Sequence, residues 1–302
     1  ALAAGLTLAP LAVAEELKFA SFVPPFHTVT ASLIEPLAEG ISSGTDGSLT
    51  MRNYPGGELG AGPVEQYVRV VQGAADFAWG LPGYTSSQFK KTMIVELPGA
   101  IPGDMMRYEA LWNAYESHLT GEFPATVPVA LWTSEPNVFI MKQKVVRSPA
   151  DVQGLKLRVA GATAGQVATA MGATPVQMPI SQVYNALQTG LIDGVITGSS
   201  TLSDFKLDEV AASVTQGAPL GRLSFYAVMS EAAYNGLSDS ERAAVDAASG
   251  YELSKSAEVA WNATAEAAPA AAGAAGENPM VQLTAAEAAA FTEVLADVLN
   301  TY

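Results

Sequence analysis

The sequence contains no cysteine and only two histidines, His27 and His118. The first absence excludes disulfides, thiolate metal sites and cysteine nucleophiles together. With two histidines, a multi-histidine metal centre is not expected, and no metal or other cofactor is called for. Basic residues are scarce: 15 Lys and Arg against 30 Asp and Glu leave a formal net charge of −15. Sequence-independent nucleic-acid binding needs a basic footprint, so nucleic acid is not an expected partner. The H-E-x-x-H pattern is missing too, which removes one common hydrolase signature. Nor does any stretch after the amino terminus reach the about 18 uninterrupted apolar residues of a membrane span.

What is present is a globular composition, 49% hydrophobic and 15% charged over 302 residues, long enough for two lobes. Residues 1–14 (ALAAGLTLAPLAVA) end in Ala12-Val13-Ala14, a small-x-small pattern that suits signal peptidase. They read as the remainder of a signal peptide, with an exported, periplasmic mature protein beginning near Glu15. Strand and helix candidates then alternate. ELKFASF, SLTMRNYP and the Ala75–Trp79 segment read as strands, and residues 28–41 and 63–72 as helices, with Pro36 kinking or restarting the first. This order favours an α/β lobe with a largely parallel sheet, whose ligand sits at the carboxyl ends of the strands. The loops there carry Phe26 and His27, Trp79 to Tyr84, and Trp132 to Asn137.

The second half repeats the alternation. VALWTSEPNVFIM is extended, Ser148-Pro149-Ala150-Asp151 opens a helical turn, and GLKLRVAG (154–161) alternates Leu155, Leu157 and Val159 with Lys156 and Arg158. An acidic chain that places two cations on one side of an apolar strand needs positive charge there, or has a solvated edge. ATAGQVATAMG reads as a helix ending at Gly172, Ser181 as the N-cap of QVYNALQT, and Gly190 as its stop. Capping boxes pair Ser238 with Glu241 and Thr284 with Glu287. Residues 263–279, interrupted by Pro269, Gly273, Gly276 and Pro279, read as a broken helix or connection.

YPGGELG (54–60), GAADFAWG (73–80), GLKLRVAG and MGATPVQMPISQVYNALQTGLIDG (171–194), in that order and at these distances, resemble the solute-binding proteins of TRAP (tripartite ATP-independent periplasmic) transporters, DctP type. The resemblance implies a two-lobed, α/β periplasmic binding fold of the Venus-flytrap kind, with discontinuous lobes and crossing hinge strands. Its lobes would be residues 15–135 plus 224–263 and residues 136–223 plus 264–302. It further implies that Arg158 forms a salt bridge with a substrate carboxylate, a role that a planar guanidinium fork fills and lysine cannot copy. Lys156 has no such implied role and is expected in solvent.

Two departures from sialic-acid-binding relatives bear on the ligand. Their upstream arginine has no counterpart in Glu135–Phe139, where Asn137 is the nearest polar candidate. Their QENP asparagine falls on Thr197, with Ser199 following. One carboxylate anchor beside Phe26, Trp79, Tyr84, Trp132 and Phe225 suggests a monocarboxylate with an apolar or aromatic body, since a second buried carboxylate would lack a partner. His27, after a Pro-Pro turn, and Met178, in the matching block, complete the candidate contacts.

The expected function is therefore non-enzymatic: capture of an organic acid and delivery to integral membrane subunits, by a chain that nothing argues to be other than a monomer. The alternatives are a binding domain feeding a sensor and an exported small-ester hydrolase with His27 as base. Glu135 and Asp193, the acids nearest the cleft segments, read as structural.

Overall fold

In the computed structural model, residues 15–101, 105–274 and 280–302 are described, so the segment read as a signal peptide lies outside them. Eleven strands are described: β1 (Glu15–Ala20), β2 (Leu49–Tyr54), β3 (Phe77–Gly80), β4 (Thr126–Thr133), β5 (Asn137–Met141), β6 (Lys156–Val159), β7 (Thr174–Gln177), β8 (Gly194–Gly198), β9 (Ser213–Gln216), β10 (Ser224–Ser230) and β11 (Met280–Gln282). They form two sheets, ordered β2-β1-β3-β10-β4 and β11-β9-β5-β8-β6-β7.

Each sheet is parallel except around one strand that arrives from the other. β10 is antiparallel to β3 and β4, and β5 is antiparallel to β8 and β9. The apolar run VALWTSEPNVFIM is therefore two strands in two sheets, broken at Ser134–Pro136. The chain crosses back between β9 and β10, and the two crossings bond to each other. Ser134 N–H donates to Leu223 O at 2.8 Å, and Asn137 N–H to Gly221 O at 2.9 Å. Gly221 turns there at φ 76°, and a Cβ would collide with Glu96 O. The expectation of largely parallel sheets holds only away from these crossing strands.

Period-two alternation builds a core on both faces of each sheet. Phe19, Phe77, Trp79, Phe225 and Ala227 pack on one face of the first sheet, and Ala20, Ala78, Tyr226 and Val228 on the other. In the second, Phe139, Leu157, Val159 and Ile196 oppose Val138, Ile140, Val195 and Val214. Arg158 lies between Leu157 and Val159 and so shares the face of Val195, its strand neighbour.

One local expectation, a helix restarted at Pro36, holds, and two others change. The helix over 28–41 is split into a π-helical turn, Thr30–Ile34, and an α-helix, Glu35–Gly44. Pro36 has no N–H for the carbonyl of Ser32; that oxygen instead accepts from Ser256 Oγ at 3.2 Å. Ser181 is not an N-cap, because a 3-10 turn, Ile180–Gln182, already carries it before the helix Val183–Thr189. And the Ala-rich segment is no connection up to residue 274: one helix, Tyr251–Ala274, runs through Pro269 and Gly273. Alanine, the best helix former, surrounds both breakers and offsets their cost. Both capping boxes are present, each with its reciprocal pair of bonds, and Gly190 ends its helix at φ 78°.

Candidate functional site

The carboxyl ends of β1, β3, β6 and β8 point at a cavity between the two sheets. In this arrangement it is narrow, with about 40 Å³ open to the centre of a water-sized sphere. Phe22 and His27 reach it from the loop after β1, Trp79, Leu81 and Tyr84 from β3 and the turn that follows. The second lobe contributes Arg158, Thr197, Ile180 after β7, and Ser200, Thr201 and Phe205 after β8. Leu223 and Phe225 enter on the returning strand, and Trp261 on the long helix.

The rings form one assembly. Phe22 stacks on Trp79 at 4.6 Å, and Phe225 lies 5.0 Å from Trp261 and 5.9 Å from Trp79. Centroid spacings of this size are those of favourable aromatic pairs.

Arg158 is 1% exposed. Its Nε donates to Met178 O at 2.9 Å and its Nη2 to Tyr84 Oη at 3.4 Å. No carboxylate of the described residues forms a salt bridge with it. Burial lowers its pKa, opposed by Tyr84. Tyr84 Oη also accepts from Ile180 N–H at 3.0 Å. With two donors on its lone pairs, the phenol's own hydrogen remains to be given to an acceptor. Arginine and tyrosine thus present donors side by side, against an apolar wall.

His27 is buried, and its Nδ1 accepts from Val29 N–H at 3.1 Å, which leaves the hydrogen of the neutral ring on Nε2. Desolvation holds its pKa down at about 3. Asp204 Oδ2 stands 3.6 Å from Nε2, and burial pushes that carboxyl up to about 6. An imidazole held at so low a pKa, with its Nδ1 lone pair already taken by Val29 N–H, is a weak general base.

Of the residues singled out from the sequence, Arg158, Thr197, His27, Trp79, Tyr84 and Phe225 line this cavity. The others do not. Phe26 is 65% exposed and points outward from its turn. Trp132 is fully buried behind the wall, 5.6 Å from Trp261. Met178 contributes only its carbonyl, to Arg158. Asn137 and Ser199 line a different cavity. The reason is the strand period: Val138 is paired with Thr197, so Asn137 and Gly198 face the other way. Lys156 is exposed although it is two residues from Arg158, because it begins the strand while Arg158 lies deeper.

Phe22, Leu81, Ile180, Ser200, Thr201, Phe205, Leu223 and Trp261 were not anticipated. Ser200 and Thr201 follow Thr197 in the same post-strand loop, a usable signal. Trp261 lies on a helix far along the chain, and nothing local marks it.

The two lobes touch across this site. Gln177 Nε2 donates to Gly83 O at 3.2 Å, Ala162 N–H to Ser86 Oγ at 3.3 Å, and Thr28 Oγ1 to Asp204 Oδ2 at 2.9 Å. Glu96, buried below, accepts from Ser224 Oγ in the first sheet and from Thr163 Oγ1 at the start of a second-lobe helix. The arrangement is the closed one, with the cavity enclosed between the lobes.

Residues 19–302 match the family model of the bacterial extracellular solute-binding proteins, family 7 (DctP). The chain belongs to that family. Its fold is shared with a TRAP solute-binding protein of Rhodoferax ferrireducens T118, in complex with copurified benzoate. That match has 28% identity and a TM-score of 0.87, covering 94% of this chain and 89% of the other. It is equally similar to a TRAP periplasmic solute-binding protein of Bordetella bronchiseptica with bound (R)- and (S)-mandelate: 30% identity, TM-score 0.85, 94% and 90% covered. Among curated sequences, a solute-binding protein of Albidiferax ferrireducens is 25% identical over 190 residues. That alignment spans 61% of this chain and 55% of the relative's length. The family and these neighbours are binding proteins of transporters, not enzymes. No described helix of this family member is long and apolar enough to cross a membrane.

Proposed function

We propose that this solute-binding protein captures a monocarboxylate with an aromatic body in the interlobe cavity and delivers it, in the periplasm, to the membrane subunits of a TRAP transporter. The observation that carries the reading is Arg158: a buried guanidinium with no acid partner, at the wall of an aromatic cavity. Burying an uncompensated charge is costly, and a ligand carboxylate would compensate it with charge-assisted, bidentate bonds. Tyr84 would add its hydrogen to the same carboxylate from the opposite lobe. Phe22, Trp79, Phe225 and Trp261 would enclose the ring. Thr197, Ser200 and Thr201 are the hydroxyl-bearing residues available to a polar substituent. The benzoate and mandelate held by two similar proteins are of this class.

Closure follows from the division of contacts. A ligand held by Arg158 on one lobe and Tyr84 on the other binds the closed form better than the open one, and shifts the population accordingly. The moving bodies would be residues 15–135 with 224–263, and 136–223 with 264–302.

The experiment is a thermal-shift and calorimetric screen of the wild type and Arg158→Lys against aromatic, aliphatic and dicarboxylic acids. Benzoate or mandelate at about 100 times its Kd should add about 2.7 kcal/mol of stability to the wild type. Arg158→Lys should lose most of that shift, since an ammonium cannot reproduce the fork. A wild type stabilised by dicarboxylates alone, or a variant that binds as tightly, would overturn the assignment.

A further inference from the structure

Among the described residues, every side-chain partner of Asp204 lies on the far side of the cleft. Asp204 ends the short helix Thr201–Asp204, which follows β8 of the second sheet. Its Oδ1 accepts from Thr28 N–H at 3.3 Å and its Oδ2 from Thr28 Oγ1 at 2.9 Å. His27 Nε2 stands 3.6 Å from the same Oδ2. Both Thr28 and His27 belong to the loop after β1 of the first sheet.

That loop is shaped without help from the second lobe. The Thr28 carbonyl accepts from Ser32 Oγ at 2.7 Å, and His27 Nδ1 accepts from Val29 N–H at 3.1 Å. These local bonds fix where the donors of Thr28 and His27 point. Thr28 Oγ1 also lies 3.1 Å from Thr264 Oγ1 on the long helix. Beside the polar contact, Phe205 sets its ring edge-on to His27 at 5.2 Å and packs against the cores of both sheets. Asp204 is 6% exposed, and neither it nor Thr28 lines the ligand cavity. A buried acid is kept where donors meet it. Here the donors come only from the opposite lobe, so the side chain serves the junction and not its own lobe.

We propose that Asp204 is a latch on the closed form: it sets how long a ligand stays without touching it, by binding the loop after β1 once the lobes have met. The inference rests on the closure described above and adds a contribution that any enclosed acid would share. Above the pKa of about 6 to which burial raises it, the side chain is charged and its bonds with Thr28 are charge-assisted. Opening the cleft breaks these bonds, so the latch acts on dissociation. Encounter takes place in the open form, where Asp204 and Thr28 are apart, and the association rate does not feel them.

The test is stopped-flow binding of benzoate to the full chain at pH 8, with thermal unfolding alongside. Asp204→Ala leaves the two Thr28 donors without this acceptor in the closed form. It should raise koff about 5- to 50-fold, with kon and the unliganded Tm unmoved. Thr28→Val removes the hydroxyl alone and should raise koff by less. The double variant should be no faster than Asp204→Ala, because the two side chains act through one contact. Three outcomes overturn the proposal: an unchanged koff, effects that add in the double variant, or an unliganded Tm lowered by Asp204→Ala, which places the contact in the resting fold. A second measurement needs no ligand. The chain has no cysteine, so Val68→Cys and Leu191→Cys, both at exposed positions and in different lobes, take a dye pair for single-molecule energy transfer. Closed visits of the ligand-free protein should be shorter in Asp204→Ala than in the wild type. Should benzoate fail to bind the wild type, the aromatic assignment falls and the latch is judged on these visits: their absence, or an unaltered duration, overturns it.

Discussion

Gly161→Ala isolates closure from folding. Gly161 has φ −159°, extended backbone that any residue adopts, so alanine brings no strain of its own. What it brings is a Cβ 2.5 Å from Gly83 Cα, 2.8 Å from Gly83 O and 3.0 Å from the Gly83 carbonyl carbon. These atoms are backbone, in the other lobe, and cannot swing aside as a side chain would. Restoring ordinary contact near about 3.5 Å parts the lobes by about 1 Å at this point. The bonds from Gln177 to Gly83 O and from Ala162 to Ser86 Oγ, already 3.2 and 3.3 Å, stretch beyond use with it. Overpacking of this kind costs about 1–3 kcal/mol, here charged to the closed form alone. The Kd for benzoate should therefore rise about 5- to 150-fold, while the unliganded protein melts where the wild type does. Calorimetry gives the first number and thermal unfolding the second; small-angle scattering should show less compaction on ligand addition. A variant with an unchanged Kd and a lowered unliganded Tm would refute the reasoning, because the Gly83–Gly161 contact would then belong to the resting fold.

Two further predictions concern the fold itself. Glu258 is fully buried and accepts from the N–H groups of Arg107, Tyr108 and Thr133 and from Thr133 Oγ1, at 2.8–3.2 Å. Glu258→Gln turns an NH₂ toward some of these donors and should cost about 2–4 kcal/mol, lowering the unliganded Tm by about 4–8 °C; circular dichroism on heating checks it. His27 is the pH-sensitive element: neutral in the fold with a pKa near 3, it takes up a proton at 6.5 once unfolded. Its contribution is present in full above 6.5 and is lost as pH falls toward 3, worth of order 4–5 kcal/mol. Asp204, raised to about 6, acts in the opposite sense, gaining stability as pH drops through 6. The readout is accordingly the difference between wild type and His27→Gln in urea titrations: it should shrink or reverse between pH 6.5 and 4, and a difference constant with pH would refute the assignment.

How much of this was legible in the sequence depends on how local the cause is. Strands β1, β2, β3, β6 and β8 could be found because alternation and glycine punctuation are written within a few residues. Gly190 and the two capping boxes were readable for the same reason. The Ser32 carbonyl at the Pro36 kink, taken up by Ser256 more than two hundred residues away, could not be. Neither could the direction of Asn137, which depends on its pairing with Gly198 across the sheet. Arg158 could be singled out as a cation in an apolar strand, but its depth reflects the closing lobe and not its own segment. Trp261 shows the limit most plainly: its place in the cavity wall is set by how a 24-residue helix packs on β4 and reaches with Ala268 into the core of the second sheet.

The burial of Arg158 also bears on what happens without ligand. In the closed arrangement its guanidinium is satisfied by one carbonyl and one long contact to a phenol, which is little for a charge with no counter-ion. Opening the lobes would return it to water and release Tyr84 from Ile180 as well. On the proposed reading, therefore, closure over an empty cavity is opposed by the residue that makes closure over a carboxylate favourable. On that reading the same side chain would supply affinity and keep a ligand-free chain from presenting the closed surface to a transporter. An arginine paired to an internal acid would give up both properties, and the fold places no such acid within reach of Arg158 among the described residues.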